Sequence, residues 1–199
     1  MLYSRLSVVN DMLGLLGESP VNDLDSFHPM VPKALNVLDT TSGEIQSDRW
    51  WFNTEDRELI PQVDTGFLML PDNTVSVDSL SSRYQVAQRG RKLYDLKNNT
   101  FVFTEPLKVR LCVYYPFDEL PNIARAHIAA EALLRFQNTI DGDDAKTRRL
   151  IKQATDTKAK FQAEHTRQVQ ANMLRRPGPL KWALFSKYNR AHFGTRWRR

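Results

Sequence analysis

The chain has 199 residues, of which 41% are hydrophobic, 26% charged and 10% aromatic, so it can bury an ordinary core and is not compositionally disordered. A mean hydropathy of −0.49 and the lack of any apolar run of about 20 residues exclude a spanning helix, and no signal-peptide pattern opens the chain. We therefore expect folding in a cytosol, with the single cysteine, Cys112, as a buried free thiol.

The net charge of +5 hides a division along the chain. Residues 1–144 carry 13 Lys and Arg against 21 Asp and Glu, a net charge of −8, whereas residues 145–199 carry 15 against 2, a net charge of +13. A body of one sign joined to a tail of the other indicates that the tail binds something that the body does not.

Two helices are predicted before residue 50. Apolar side chains recur at three- and four-residue steps over residues 4–17, and Gly17 ends that pattern. Pro32 suits the first turn of a second helix, because the missing N–H costs nothing there. The predicted inner faces are Leu6, Val9, Leu13 and Leu16 for the first helix, and Leu35, Leu38, Ser42 and Ile45 for the second.

A small, mostly antiparallel sheet is predicted between about residues 50 and 116, where short extended segments alternate with turn residues. The aromatic run Trp50-Trp51-Phe52 precedes this sheet, and we interpret it as core at the junction with the helices. The predicted strands are 66–70, 74–77, 83–87 and 108–114, and the predicted turns are 71–73, 89–91 and 97–99.

Two more helices are predicted after the sheet. Asp118, with Pro121 shortly after, opens the third, and the break at residues 141–144 starts a fourth that runs to about Met173. The third helix has the predicted face Ile123, His127 or Ile128, Ala130, Leu134 and Phe136. The fourth has only Leu150, Ile151, Ala154, Phe161, Val169 and Met173 as a narrow apolar stripe over about eight turns. A helix this polar is either largely solvated or packs its other faces on neighbouring copies.

These elements predict an α+β fold in three parts. Residues 1–49 and 117–173 form a bundle of four helices, residues 50–116 an inserted β domain, and residues 174–199 an extended C-terminal arm.

No cofactor or metal site is expected. The four histidines are scattered, and none has a second His or Cys at metal-ligand spacing. Asp141, Asp143 and Asp144 resemble the start of a calcium loop, but basic residues occupy its later ligand positions, which favours helix capping.

The densest group of carboxylates is Glu55, Asp56 and Glu58. A catalytic acid/base pair needs two carboxylates brought together, whereas this run favours a solvated strand edge or an inter-subunit contact. The chain also lacks a Gly-x-Ser-x-Gly elbow and a glycine-rich phosphate loop. We therefore predict no enzymatic activity.

Residues 174–199 contain eight Lys or Arg and no acid, with aromatic residues between them. Cations and rings together suit a binder of single-stranded nucleic acid. They equally suit a docking arm whose Trp, Tyr and Arg anchors fill pockets on a protein partner. A merely solubilising tail is disfavoured by two Trp and two Phe in 26 residues, and the other two readings stay open on composition.

Five segments carry motifs in a recognisable order: Leu6–Leu13 with Leu16–Val21, Ile45–Asn53, Leu70–Asp72, Arg89–Gly90 with Leu93–Asp95, and Phe117–Pro121. Together they resemble the tail tubular protein A family, the head-to-tail adaptors of short-tailed T7-like bacteriophages, over about residues 6–165. Asp48-Arg49 stands where that family favours a glycine, and the region after about residue 170 has no match.

The resemblance implies a helical bundle that carries a β domain and assembles as a dodecameric ring, with the portal protein above and the tail nozzle (tubular B) protein below. The arm would then dock on the portal, with aromatics in pockets and guanidinium groups on carboxylates. The expected portal-docking residues are Arg175, Arg176, Trp182, Phe185, Tyr188, Phe193 and Trp197.

The same resemblance implies that DNA passes through the lumen without specific binding, since a wall of net negative charge repels phosphate. The expected location is the head-tail connector of the virion tail, assembled in the host cytoplasm without a membrane. Two other functions stay open: a nucleic-acid-binding protein that acts through its tail, and a tail-associated polysaccharide hydrolase.

Overall fold

A computed structural model describes residues 3–140 and 144–175, with side chains up to residue 171. The fold is α+β, with four helices and small antiparallel sheets. The elements in chain order are α1 Arg5–Leu15, α2 Val31–Ser47, β1 Thr54–Leu59, β2 Thr74–Ser79, β3 Val86–Arg89, β4 Lys92–Asp95, β5 Leu107–Val113, a 3-10 turn Phe117–Glu119, α3 Asn122–Ile140 and α4 Asp144–Arg175.

A side-chain cap starts helix α1, and a glycine ends it. Ser4 accepts from the Ser7 N–H, and the Ser7 hydroxyl accepts from the Ser4 N–H, which satisfies two donors at the helix start. At the other end Gly17 has φ +76°, and the next N–H, from Glu18, bonds back to the Leu13 carbonyl. The prediction that Gly17 ends the helix is confirmed.

The first core lies between α1, α2 and α3. Helix α1 contacts both of the other two helices, so two adjacent rows of its side chains are buried rather than one. Val8 and Met12 are therefore inside, while the predicted Leu6 and Leu16 are only half-buried. On α2 the prediction that Pro32 lies in the first turn is confirmed. The side chains buried on α2 are Val31, Ala34, Leu38, Thr41, Ser42 and Gln46.

The β region contains a three-stranded sheet in the order β1-β5-β2 and a separate hairpin of β3 and β4. The predicted strands 74–77 and 108–114 are confirmed, and 83–87 lies slightly later, at Val86–Arg89. Residues 66–70 were predicted as a strand but make only isolated bridges, Phe67 to Val102 and Met69 to Lys92. Their alternate side chains, Leu68 and Leu70, still enter a second core beneath the sheet.

Helix α3 begins at Asn122, so the prediction that Asp118 opens it is wrong. Leu120 is extended, with ψ 152°, as expected for a residue that precedes a proline. The helix therefore starts only after Pro121, whose carbonyl accepts from the Ala124 and Arg125 N–H groups.

The fourth helix is present as predicted. The chain divides into two compact units, Met1–Phe161 and Gln162–Arg199, and α4 runs through both. In the first unit Leu150, Ala154 and Phe161 are buried, whereas Ile151 is 48% exposed. In the second unit Arg167 pairs with Glu164 through two hydrogen bonds of 2.8 and 2.5 Å.

Candidate interaction surfaces

The predicted docking residues follow the end of α4. Arg175 is the last residue of that helix. Its side chain lies outside the described residues, together with Arg176, Trp182, Phe185, Tyr188, Phe193 and Trp197. Their docking role therefore stays a prediction. The described part of the chain contains the contacts that hold the first part of α4 and several surfaces on residues 3–161.

An aromatic cluster holds the first part of α4 on the helical core. Phe161 is fully buried, and its ring centroid lies 4.2 Å from that of Trp50, 5.5 Å from Trp51 and 6.3 Å from Phe52. His127 of α3 adds a ring at 5.2 Å. Residues 50–52 were predicted as core at the junction with the helices, and all three pack against the helical core while staying half-buried.

Two buried amides join the end of α2 to the sheet. The Gln46 Nε2 donates to the Tyr115 carbonyl at 3.0 Å, and the Tyr115 N–H donates to Gln46 Oε1 at 3.0 Å. The Asn53 Nδ2 donates to the Gln46 carbonyl and its Oδ1 accepts from the Trp50 N–H, both at 2.8 Å. The Asn53 carbonyl then accepts from Val113 at the end of β5.

Sequence reasoning used the segment around these amides only as a motif. The structure explains why amides occupy these two positions. Both side chains are fully buried, and a buried amide is stable only when its donors and acceptors are satisfied. The signal in the sequence that could have indicated these contacts is the pair of amides, Gln46 and Asn53, on either side of the aromatic run 50–52.

A row of charges crosses the outer face of the three-stranded sheet. Arg110 of β5 lies opposite Asp56 of β1 and Asp78 of β2. It binds Asp56 through two hydrogen bonds of 2.7 and 2.9 Å. Arg49 pairs with Asp78, and this hydrogen bond lowers the pKa of Asp78. Arg49 is part of the Asp48-Arg49 pair that stands where the resembled family favours a glycine, and here it has a partner on the sheet. The two arginines of the row are thus balanced by its two carboxylates.

The carboxylates of β1 form a strand edge, as predicted. Glu55 and Asp56 are neighbours on an edge strand, so their side chains point to opposite faces. The Tyr115 hydroxyl donates to Glu55 at 2.6 Å and lowers its pKa, and Arg57 adds a second bond. A general acid needs the opposite shift, so this arrangement keeps Glu55 ionised and supports no acid/base pair with Asp56.

Several large apolar side chains are exposed on the surface of residues 3–161. Phe27, in the connection between α1 and α2, and Val63, after β1, are fully exposed, and Ile60 is 73% exposed. Val63 lies in a loop, residues 62–67, that two backbone hydrogen bonds close. The Gly66 N–H donates to the Gln62 carbonyl, and the Gln62 N–H donates to the Phe67 carbonyl. Apolar side chains held in water by ordered loops mark contact surfaces when they lie together with other exposed apolar groups.

Cys112 is a buried free thiol, as predicted. Burial raises its pKa, so it stays protonated and unreactive. Over residues 3–140 and 144–175 no three side chains of His, Cys, Asp or Glu are grouped so as to hold a metal ion. No helix of that part of the chain is long and apolar enough to cross a membrane.

Comparisons with known proteins agree with the motifs. The family described as Tail tubular protein matches residues 6–176. Tail tubular protein A of Klebsiella phage KP34 is 28% identical over 163 residues, which cover 82% of this chain and 87% of that protein. The resemblance found in the sequence is thus confirmed over most of the chain. The chain belongs to the tail tubular protein family, a family of structural components of the bacteriophage virion tail.

Proposed function

We propose that the chain is a non-catalytic adaptor of the head-to-tail connector, assembled in the host cytoplasm as a dodecameric ring. The ring joins the portal protein to the tail nozzle (tubular B) protein and lets the genome pass. Membership of a structural tail family supports a mechanical role. The observation that carries the adaptor assignment is the polarity of α4.

Helix α4 is too long and too polar to be explained by burial in one copy. It has 32 residues, and between Asp144 and Phe161 only three of them are buried. Most helical stability in proteins comes from packing an apolar face. Neighbouring copies in a ring would cover the exposed faces of α4, and the aromatic cluster around Phe161 would keep the base of the helix fixed.

The arm, residues 174–199, would dock on the portal. Its rings would fill pockets between portal subunits, and its guanidinium groups would pair with portal carboxylates. The remaining body, with a net charge of −8 over residues 1–144, would line a channel that repels phosphate, so that DNA moves through without sticking.

Removing the arm tests this function. Deletion of residues 174–199 should leave the circular dichroism and the unfolding midpoint of the body unchanged, and should abolish co-sedimentation with purified portal rings. The matched control replaces the five aromatic residues of the arm with serine and keeps its eight cations. Loss of binding in this control assigns docking to the rings, whereas a deletion variant that still joins the portal normally would sink the assignment.

The composition of the arm favours DNA binding as the second candidate. Under that reading, the full chain binds DNA with a steep dependence on salt, the deletion variant does not, and portal has no effect on either. A polysaccharide hydrolase lacks comparable support. Glu55 and Asp56 lie on opposite faces of β1, and Asp56, which shares a face with Glu58, has both carboxylate oxygens bound to Arg110.

A further inference from the structure

We propose that the outer face of α4 binds the connection between α1 and α2 of a second copy. The α4 face consists of Arg148, Ile151, Lys152 and Thr155, and the connection, residues 16–30, is called the Phe27 loop. This contact rests on the proposed ring and names the surfaces that would close it.

The four positions on α4 share one face. Their spacing of i, i+3, i+4 and i+7 aligns them along the helix, next to the row of the buried Leu150 and Ala154, because Ile151 precedes Ala154 by three positions. All four are exposed. Ile151 is 48% exposed, and within residues 3–140 and 144–175 neither Arg148 nor Lys152 forms an ion pair. The face is thus an apolar side chain flanked by two cations.

The Phe27 loop is held in place although its largest side chain is in water. The Val21 N–H donates to Asn10 Oδ1 at 2.9 Å, and the Asn10 Nδ2 donates to the Val21 carbonyl at 3.0 Å. Val21 and Leu24 pack against the helical core. Phe27 is nevertheless fully exposed to solvent, so it has no apolar partner among residues 3–140 and 144–171 of its own copy.

The charge of this loop is opposite to that of the α4 face. Asp23 and Asp25, both exposed, precede Phe27, and residues 16–30 contain no Lys or Arg. The loop therefore presents an apolar side chain with three carboxylates, Glu18 being the third, and the α4 face presents an apolar side chain with two cations. An apolar contact flanked by opposite charges is the arrangement that fixes both affinity and register between proteins.

The charges also select the kind of contact. A two-fold contact of either surface with its own copy would set like charges against each other. A ring instead needs two different surfaces that complement each other. The loop and the α4 face are different surfaces with opposite charges, which favours the next copy as the occupant.

Two charge-reversal variants test the contact. The loop variant carries Asp23→Arg and Asp25→Arg, and the helix variant carries Arg148→Glu and Lys152→Glu. Assembly is measured on the full chain by sedimentation velocity over a concentration series, alone and with portal rings. Each variant by itself should need at least about tenfold more protein for half assembly, since like charges now face each other.

Mixing the two variants separates a contact between copies from one within a chain. In an equimolar mixture, a reversed loop meets a reversed helix and a normal loop meets a normal helix, so assembly should return to the wild-type range. The single chain with all four changes should also assemble. As a control, Asp64→Arg with Lys97→Glu changes two exposed charges elsewhere and should assemble like wild type.

Phe27→Ser provides a second readout. It should weaken assembly without lowering the unfolding midpoint, because the side chain is fully exposed in one copy. Normal assembly of both reversal variants would overturn the inference while leaving the adaptor function intact. Rescue in the four-change chain but not in the mixture would also overturn it, since the contact would then lie within one chain. A wild-type chain that neither assembles nor joins the portal would remove the proposed function itself.

Discussion

Truncation of Phe161 to alanine measures how firmly α4 is held on the core. The side chain is fully buried, and three aromatic rings lie with centroids 4.2 to 6.3 Å from its own. Removing a buried Phe side chain costs about 3–5 kcal/mol, because transfer and cavity terms add. Total stability of a domain is about 5–15 kcal/mol, so the loss should be a large part of it.

Urea unfolding followed by tryptophan fluorescence is the direct assay, since Trp50 and Trp51 contact Phe161. The matched control is Lys160→Ala on the same helix, whose side chain is exposed and whose loss should cost less than about 1 kcal/mol. Phe161→Leu should fall between the two, because it refills part of the cavity. A Phe161→Ala variant within about 1 kcal/mol of wild type would refute the assignment of Phe161 as the residue that fixes α4.

Three other changes have defined outcomes. Asn53→Ala removes the buried amide that donates to the Gln46 carbonyl and accepts from the Trp50 N–H, and urea unfolding should show a loss of at least about 2 kcal/mol. Gly66→Ala should lower the melting temperature more than Gly90→Ala, because both have positive φ but only at Gly66 would a Cβ lie 2.8 Å from another side chain. Burial lowers the pKa of His127, so the unfolded chain binds its proton more readily and stability should fall below pH of about 6.5. His127→Gln should reduce this fall in the pH profile of unfolding, and the remainder should come from His165, whose pKa is also lowered by burial.

The helices were predictable where local signals mark their ends. Gly17 marks the end of α1 and Pro32 the start of α2 by backbone geometry alone. The spacing of apolar residues was then needed only to predict how far each helix extends from that boundary. The start of α3 was misplaced because Pro121 restricts the residue before it, a constraint that outweighs the capping tendency of Asp118.

The sheet was harder to predict because its strands depend on pairing. Strand β1 has the sequence Thr-Glu-Asp-Arg-Glu-Leu, without the apolar alternation of a half-buried strand, and it is extended because every residue pairs with β5. Residues 66–70 have that alternation and bury Leu68 and Leu70, yet form only single bridges. Side-chain pattern reports burial, whereas a strand also needs a continuous backbone partner.

The contacts at the junction could not be predicted from the sequence, because their partners are distant. Gln46 bonds to Tyr115 across 69 positions, and Phe161 contacts the ring of Trp50, which is 111 positions earlier in the chain. The motif Ile45–Asn53 was recognisable as a pattern, and the structure gives its cause in the hydrogen bonds of Gln46 and Asn53.

The central claim is that this chain assembles into a ring that receives the portal. Light scattering of the purified protein, with and without residues 174–199 and with and without portal rings, measures this directly. A ring-sized mass for the full chain, formed alone or on addition of portal, is the predicted result, with portal attachment lost when residues 174–199 are removed. A monomer that ignores portal but shifts in mass with DNA would contradict the account.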